Sequence, residues 1–174
     1  MSLPDDDGPN LLGALALHID TLMRAAVTSP AGAGGALAEA IVVIKDQPGA
    51  TAEWLAQVLG LSQPGSAHLV RRLVQAGWVE RRPGADARSR ALHLTTAGRA
   101  AARRILAARR EALAEAISPL TPAQRDQLAG IARAILRPEA HDGQCLARLC
   151  RLCDRTRCAT CPVHAGYLDA QAHG

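Results

Sequence analysis

Aromatic residues are scarce in this chain of 174 residues, which has two Trp, one Tyr and no Phe. Its core must therefore be built from Ala, Leu, Val and Ile, a composition that favours closely packed helices. The chain is 48% hydrophobic and 21% charged, which is ordinary for a folded protein. Length and composition together predict one globular domain with short appendages.

Long apolar runs are also lacking. Runs such as residues 11–17 and 40–44 are far shorter than the roughly 20 residues that a membrane-spanning helix needs. The first ten residues, MSLPDDDGPN, are acidic and polar, whereas a secretory leader begins with positive charge. We therefore expect a cytoplasmic protein that has no membrane partner.

Motifs of common enzymes are missing as well. The sequence has no Gly-rich phosphate loop, no nucleophile elbow and no paired carboxylates at a spacing that suits acid and base catalysis. The cysteines are clustered, so they resemble ligands more than an isolated nucleophile with a histidine base. We expect no catalytic residues and no enzymatic activity.

Residues 51–60 have the pattern of a short amphipathic helix. Thr51 is suited to the capping position, and Leu55, Val58 and Leu59 fall on one face. Gly60 suits the left-handed conformation that ends many helices. The segment therefore predicts a helix that stops abruptly at Gly60.

A second helix follows after a turn of only two residues. Ser62 can cap it, and Pro64 is tolerated because amides of the first turn have no intrahelical partner. Leu69, Leu73 and Ala76 recur at helical spacing and are predicted to face inward. The opposite, outer face then carries mainly polar and basic residues, namely His68, Arg71, Arg72 and Gln75.

A β-hairpin is predicted after Gly77. Bulky apolar and charged residues alternate over residues 78–82, Pro83 and Gly84 turn the chain, and residues 91–95 form the return strand with Leu92 and Leu94 facing the core. The loop at residues 84–90 is polar. Helix, turn, helix and hairpin in this order form a winged helix-turn-helix, whose main use is to read double-stranded DNA.

Positive charge is concentrated on this unit and on the helix after it. Residues 71–110 hold eleven Arg and two acidic residues, a net charge of +9, whereas the whole chain carries only +4. Lys45 is the only lysine. Such a cluster is typical of proteins whose DNA affinity comes from neutralising phosphates. A winged helix used only for protein contacts would not need it.

The segment LSQPGSAHLVRRLVQAGWVERRPGADARSRALHLTTAG resembles the MarR family of bacterial transcription regulators. The resemblance extends over roughly residues 10–137. Its most specific part is the wing, in which Asp86, Arg88 and Arg90 precede the residues Leu94-Thr95-x-Ala97-Gly98. It implies a mainly helical fold with a small hairpin wing, in an intertwined dimer.

The resemblance also implies which residues contact DNA. Asp86 is expected to shape the wing while Arg88 meets DNA. Ala67, His68 and Arg71 depart from residues that are common in the family, so the resemblance implies DNA binding but not which bases are preferred. The predicted DNA-binding residues are Ser62, Gln63, Ser66, His68, Arg71, Arg72, Arg88 and Arg90.

Further helices flank the winged helix. They are predicted over residues 10–28, 35–45, 97–117 and 121–136, and the last begins with a Thr-Pro pair in the preferred capping order. The resemblance implies that the first and last of these intertwine in a homodimer. Two recognition helices would then lie about one DNA turn apart on a pseudo-palindromic operator. Residues 1–9 are expected to be a flexible segment, and the winged helix to span about residues 48–98.

All five cysteines lie between residues 145 and 161, within the segment 138–174. Cys150, Cys153, Cys158 and Cys161 form the pattern C-x2-C-x4-C-x2-C, in which each two-residue spacing lets a turn point both sulfurs at one ion or cluster. Cys145 is a possible substitute for one of them. In a cytosolic protein this favours metal or redox chemistry over disulfides.

The identity of the metal stays open at this point. Paired C-x2-C elements usually bind zinc, but the pairs are then farther apart. The Cys161-Pro162 ending is typical of iron–sulfur ligation, and the segment is similar to cluster-binding C-terminal segments of redox-sensing MerR-class regulators. The flanking His141 and His164 are further candidate ligands. An iron–sulfur cluster, zinc and a metal-free thiol switch are therefore all considered.

These patterns predict a homodimeric, DNA-binding transcription regulator whose DNA affinity is modulated by a metal or redox site. One alternative is a repressor that responds to a small-molecule effector and has a purely structural zinc site. The other is a thiol-based redox protein that uses its winged helix for protein contacts.

Overall fold

The computed structural model describes residues 7–28, 34–84, 90–158 and 160–173. Its first helices are α1 (Asp7–Thr28), α2 (Ala36–Asp46), α3 (Ala52–Leu59) and α4 (Gln63–Gln75). The strands β1 (Val79–Pro83) and β2 (Arg90–Leu94) follow. The remaining helices are α5 (Thr96–Ala116), α6 (Pro122–Leu136), α7 (Gly143–Leu149) and α8 (Pro162–His173), with 3-10 turns at Arg137–Glu139 and Arg155–Arg157. This mainly helical fold with a small hairpin confirms the fold class that was predicted for one chain.

Local signals place the helix ends as predicted. The Thr51 hydroxyl accepts a hydrogen bond from the Trp54 amide at 3.1 Å, and the Ser62 hydroxyl accepts one from the Gly65 amide at 3.2 Å. Gly60 has φ of 64°, the left-handed conformation that costs glycine little. The turn between α3 and α4 is short because both caps are satisfied locally.

The hairpin is antiparallel, and Val79 is opposite Leu94 while Pro83 is opposite Arg90. Leu92 and Leu94 are buried, which confirms that this face of β2 points to the core. The wing residues Asp86 and Arg88 lie outside the described residues.

The main core joins α2, α3, α4, α5 and the hairpin. Ile41, Leu55, Leu73, Leu92 and Ile105 are among its fully buried side chains. Because α2 is buried on nearly all sides, it forms the centre around which the winged helix and α5 pack.

Three sequence predictions need correction. Ala76 was expected to face inward, but it is exposed because α4 ends at Gln75 and Ala76 is its cap. The N-terminal segment was expected to be flexible through residue 9, but α1 begins at Asp7, where an acidic side chain suits the helix dipole. The predicted strand 91–95 is shifted by one residue, to Arg90–Leu94.

The cysteine-rich segment contains helices that the sequence analysis did not predict. Asp142 caps α7 by accepting a hydrogen bond from the Cys145 amide at 2.7 Å. A second small core joins the buried residues Ala140, Cys150 and Val163. Gly166 of α8 lies against the Arg137 carbonyl so closely that a Cβ there would overlap its oxygen. The segment therefore folds back against the rest of the molecule.

Candidate DNA-binding surface and cysteine site

The outer face of α4 presents the predicted polar and basic residues. Gln63, His68, Arg71 and Arg72 are all exposed. Leu69, Val70 and Leu73 on the other face are buried and hold the helix on the core. The Ser62 side chain is exposed but caps α4, so its hydroxyl is partly committed to the helix end. The helix thus presents a cationic surface that has no acidic residue along its length.

Ser66 does not belong to this surface, contrary to the prediction. Its side chain is buried, with 2% of its area exposed, and its hydroxyl donates a hydrogen bond to the Ala52 carbonyl at 2.6 Å. A serine fits here because the small hydroxyl satisfies a carbonyl at the start of α3. The bond fixes α4 against α3, so Ser66 positions the helix and is withdrawn as a DNA contact.

The hairpin adds further exposed arginines. Arg90 is exposed at the start of β2, and Arg81 is exposed on β1. Arg82 pairs with Glu80, with 2.9 Å between Nε and the carboxylate. Arg81 was counted in the basic cluster but was not among the predicted contacts. Strict alternation would place Arg81 on the same face as the buried Val79, so the local pattern did not indicate its exposure.

The structure brings the four predicted cysteine ligands to one place. Cys150, Cys153, Cys158 and Cys161 line a cavity of about 250 Å³ together with Leu146, Arg155 and His164. Cys150 is buried, Cys153 and Cys161 are half-buried, and Cys158 is exposed. Residues from α7, the 3-10 turn at Arg155–Arg157 and the start of α8 therefore enclose a thiol-lined cavity, which we call the cysteine cavity.

Cys145 is not part of the cysteine cavity. Its thiol donates a hydrogen bond to the Glu139 carbonyl at 3.1 Å, and its sulfur lies 3.8 Å from His141 Nε2. His164 does line the cavity. Of the candidate replacement ligands, the structure therefore places only His164 beside the four thiols.

The thiols influence one another strongly. The pKa of Cys153 is lowered to about 6, chiefly by a hydrogen bond with Cys150 and then by the positive charges of Arg109 and Arg155, against the opposing effect of burial. The same hydrogen bond and burial raise the pKa of Cys150. Burial, followed by contact with Cys161, raises the pKa of Cys158. The cavity therefore favours negative charge at Cys153.

Donor spacing in the cavity does not match a single-ion site. No set of three His, Cys, Asp or Glu side chains in the described ranges is arranged to hold one metal ion. The four cysteines line this cavity as two pairs, Cys150 with Cys153 and Cys158 with Cys161, and the two thiols of each pair share a hydrogen bond. The four thiols can ligate a metal group only if the group is large enough to fill part of this cavity.

The cysteine segment is attached directly to the helix-turn-helix. Arg148 Nη2 of α7 donates a hydrogen bond to the Gln57 carbonyl of α3 at 3.1 Å. Ala147 is buried in the main core, and Leu152 packs against it. The guanidinium therefore lies at the C-terminal end of α3, where unpaired carbonyls attract a cation.

Two ion pairs connect the same segment to α2. Arg151 Nε lies 3.2 Å from Glu39, whose side chain is 16% exposed, and Arg155 Nε lies 3.5 Å from Asp46, whose side chain is 10% exposed. Partly buried carboxylates are screened less than surface ones. The two ion pairs hold the cysteine cavity against α2, as the Arg148 hydrogen bond holds it against α3.

Helices α1 and α6 carry exposed apolar faces. Leu11, Leu12 and Leu17 of α1 are more than half exposed, as is Ile131 of α6. By length and composition α1 is also apolar enough to cross a membrane, which the sequence analysis did not expect. A single helix of this kind near the N-terminus is weak evidence for a membrane span, and α1 packs against α5 here.

Comparisons with known proteins agree with this architecture. Residues 38–89, from α2 into the wing, match the family model of the MarR family. The apo form of MarR from E. coli superposes with a TM-score of 0.64 at 24% identity, covering 78% of this chain and 99% of that one. The chain has the MarR-type winged-helix fold. The MarR family comprises transcription regulators and not enzymes.

Two mycobacterial structures are similar in the same way. RV1404 from Mycobacterium tuberculosis has a TM-score of 0.67 at 20% identity, covering 78% of this chain and 94% of its own. The MarR family protein RV2887 from the same organism has a TM-score of 0.58 at 26% identity, covering 75% and 96%. No curated protein matches the sequence significantly. These MarR-fold chains are covered almost completely, whereas about a fifth of this chain lies outside the superposition.

Proposed function

We propose that the protein is a homodimeric, cytoplasmic transcription regulator that binds double-stranded DNA through α4 and the wing. The observation that carries the proposal is the outer face of α4, where Gln63, His68, Arg71 and Arg72 are exposed while the inner face is fixed on the core. An α-helix fits the major groove, and arginine can bind guanine or phosphate through two donors.

The dimer is supported by the apolar faces of α1 and α6. The solvent-exposed leucines of α1 and the exposed Leu128, Ile131 and Ile135 of α6 form surfaces larger than scattered apolar residues would. A second copy would cover them. A two-fold axis through these helices would direct both α4 helices at one pseudo-palindromic operator.

The cysteine cavity is proposed to modulate DNA affinity. It is attached to α3 by Arg148 and to α2 by Arg151 and Arg155. A metal group that changes the position of α7 would therefore shift α3, and with it α4, which Ser66 fixes to Ala52. A bound group can shift this equilibrium only by its difference in affinity for the two arrangements.

DNA binding is tested with the purified chain and a random duplex library. Selected duplexes should show two half-sites with two-fold symmetry, and affinity should fall steeply as salt concentration rises. Arg72→Ala should weaken binding by about 1–3 kcal/mol at the preferred duplex. Arg24→Ala makes the same charge change on α1 and serves as the matched control. A lack of duplex selection, with equal binding of both variants, would favour a winged helix used for protein contacts.

A second candidate is a regulator that responds to a small molecule. The observation that favours it is a cavity of about 350 Å³ between α2, α3, α7 and α8, lined by Trp54 and Tyr167, two of the three aromatic residues in the chain. Its size falls within the usual range of ligand sites. Ligand-dependent release of DNA by metal-free protein would favour this candidate over metal sensing.

A further inference from the structure

The cysteine cavity is too open for the simplest metal site. In a tetrathiolate zinc site each sulfur lies about 2.3 Å from one ion, so all four sulfurs crowd together. Here the described donors include no set of three that could hold one ion, and the four thiols enclose about 250 Å³. The arrangement has room for a group of several atoms whose corners bind separate cysteines.

Positive charge surrounds the cavity from several elements. Arg109 of α5 and Arg155 act electrostatically on Cys153, and Arg133 of α6 acts on Cys158. Asp46 is the acidic group that opposes them at Cys153. These arginines outnumber the acidic group, so they would stabilise a bound group whose total charge remains negative after the thiolates have ligated it. Iron–sulfur clusters with four cysteine ligands have this property, and their potentials depend on nearby charge and hydrogen bonds to sulfur.

Arg109 supplies an independent observation. Its Nε atom is buried and has no hydrogen-bond partner among the described residues. The residue lines two cavities together with Cys153, one of about 540 Å³ and one of about 100 Å³. A buried donor on a cation is costly when unpaired, so it indicates a missing acceptor. Arg109 does not line the cysteine cavity, but Cys153 borders all three cavities, so a ligating thiolate at Cys153 would be that acceptor.

We infer that Cys150, Cys153, Cys158 and Cys161 hold an iron–sulfur cluster, with Arg109 as a positioning residue that donates a hydrogen bond to the Cys153 thiolate. The inference deepens the regulator proposed above by naming the group in its sensing site. When an assembled cluster is transferred to the chain, each of the four thiols replaces one ligand of the cluster and gives its proton to that departing ligand, so four iron–sulfur bonds form, four bonds to the old ligands break and no oxidation state changes. Cys145 takes no part, because its thiol is bonded to Glu139 outside the cavity.

Metal analysis of the full chain tests the inference separately from DNA binding. Protein purified without oxygen, or reconstituted without oxygen from ferric iron, sulfide and an excess of a small thiol that supplies any electrons needed, should be brown and contain on the order of two to four iron and equal sulfide per chain. Cys161→Ser should lose most of this iron, whereas Cys145→Ser should retain it. Colourless protein with about one zinc per chain and no uptake of iron would overturn the inference, as would metal-free protein after reconstitution.

The role of Arg109 has its own readout. Arg109→Gln should release iron to a chelator about tenfold faster and lower the reduction potential of the cluster, since a positive charge and a donor are removed. Arg109→Lys should restore part of the potential, and Arg103→Gln on the exposed side of α5 is the matched control. Equal iron release and equal potential in all of these variants would remove Arg109 from the site.

Discussion

The winged helix and the cysteine segment are held together in different ways. Among the described residues, the main core that holds the winged helix joins 21 buried residues, of which only Ala147 comes from the cysteine segment, whereas the second core joins three, one of which is Cys150. Apolar burial contributes roughly 25 cal/mol per Å², so the first region has an ample source of stability and the second has little. The cysteine segment therefore depends on its attachments and on whatever its thiols bind.

The largest loss of stability is expected from a substitution in the main core. Leu73 is fully buried on α4, so Leu73→Ala should lower the free energy of unfolding by about 2–5 kcal/mol. Urea titration followed by circular dichroism measures this. Val74→Ala on the same helix is the control, because Val74 is 39% exposed and its truncation should cost well under half as much. Equal losses for the two variants would mean that the assignment of the buried face of α4 is wrong.

A smaller and more local effect is expected at Gly166. Gly166→Ala places a methyl group against the Arg137 carbonyl, which should cost about 1–3 kcal/mol and loosen the packing of α8. Hydrogen exchange should accelerate at residues 140–170 and stay unchanged at residues 41–44.

Gly130→Ala is the matched control for this substitution. A Cβ at position 130 meets nothing within 4 Å, so alanine there should stabilise α6 by up to about 1 kcal/mol. If Gly166→Ala instead destabilised the whole chain in one transition, the two regions would be a single cooperative unit.

The smallest change in the free energy of unfolding is expected for Arg148→Ala. This variant also tests most directly whether the cysteine segment is coupled to α3. The Arg148 guanidinium is exposed at the end of α3, so Arg148→Ala should cost only about 0.5–1.5 kcal/mol. Hydrogen exchange should nevertheless accelerate at the C-terminal turn of α3. Loss of metal should also change the DNA affinity of this variant less than it changes the DNA affinity of the unsubstituted protein. Arg137→Ala removes an exposed arginine paired with Asp169 elsewhere in the segment and is the control. An unchanged metal response would contradict the proposed connection.

The sequence was a good guide to the winged helix because its signals are local. The caps at Thr51 and Ser62, the glycine at 60 and the alternation in β2 each depend on neighbouring residues, and the structure has them within a residue or two of the prediction. Ser66 shows where such local signals fail. Its position on α4 suits a polar contact, but the Ala52 carbonyl that it bonds is 14 residues away.

The cysteine segment was less predictable because its contacts are long-range. Spacing indicated that four thiols would converge, and they do line one cavity. Nothing in the local pattern indicated α7 and α8, apart from the capping Asp142 and the helix-starting Pro162. Arg148 and Gln57 are separated by 91 residues, so their contact is visible only in the folded chain.

The contact between Arg148 and Gln57 would also transmit the effect of DNA binding back to the cysteine cavity. If occupancy of the cysteine cavity changes the affinity of α4 for DNA, thermodynamic linkage requires that DNA change the affinity of the cavity for its metal group by the same factor. Operator-bound protein would then bind its metal group with a different affinity from free protein. The operator would thus act as an effector of the metal site, so that each DNA-bound dimer would hold or lose its metal according to where on the chromosome it lies.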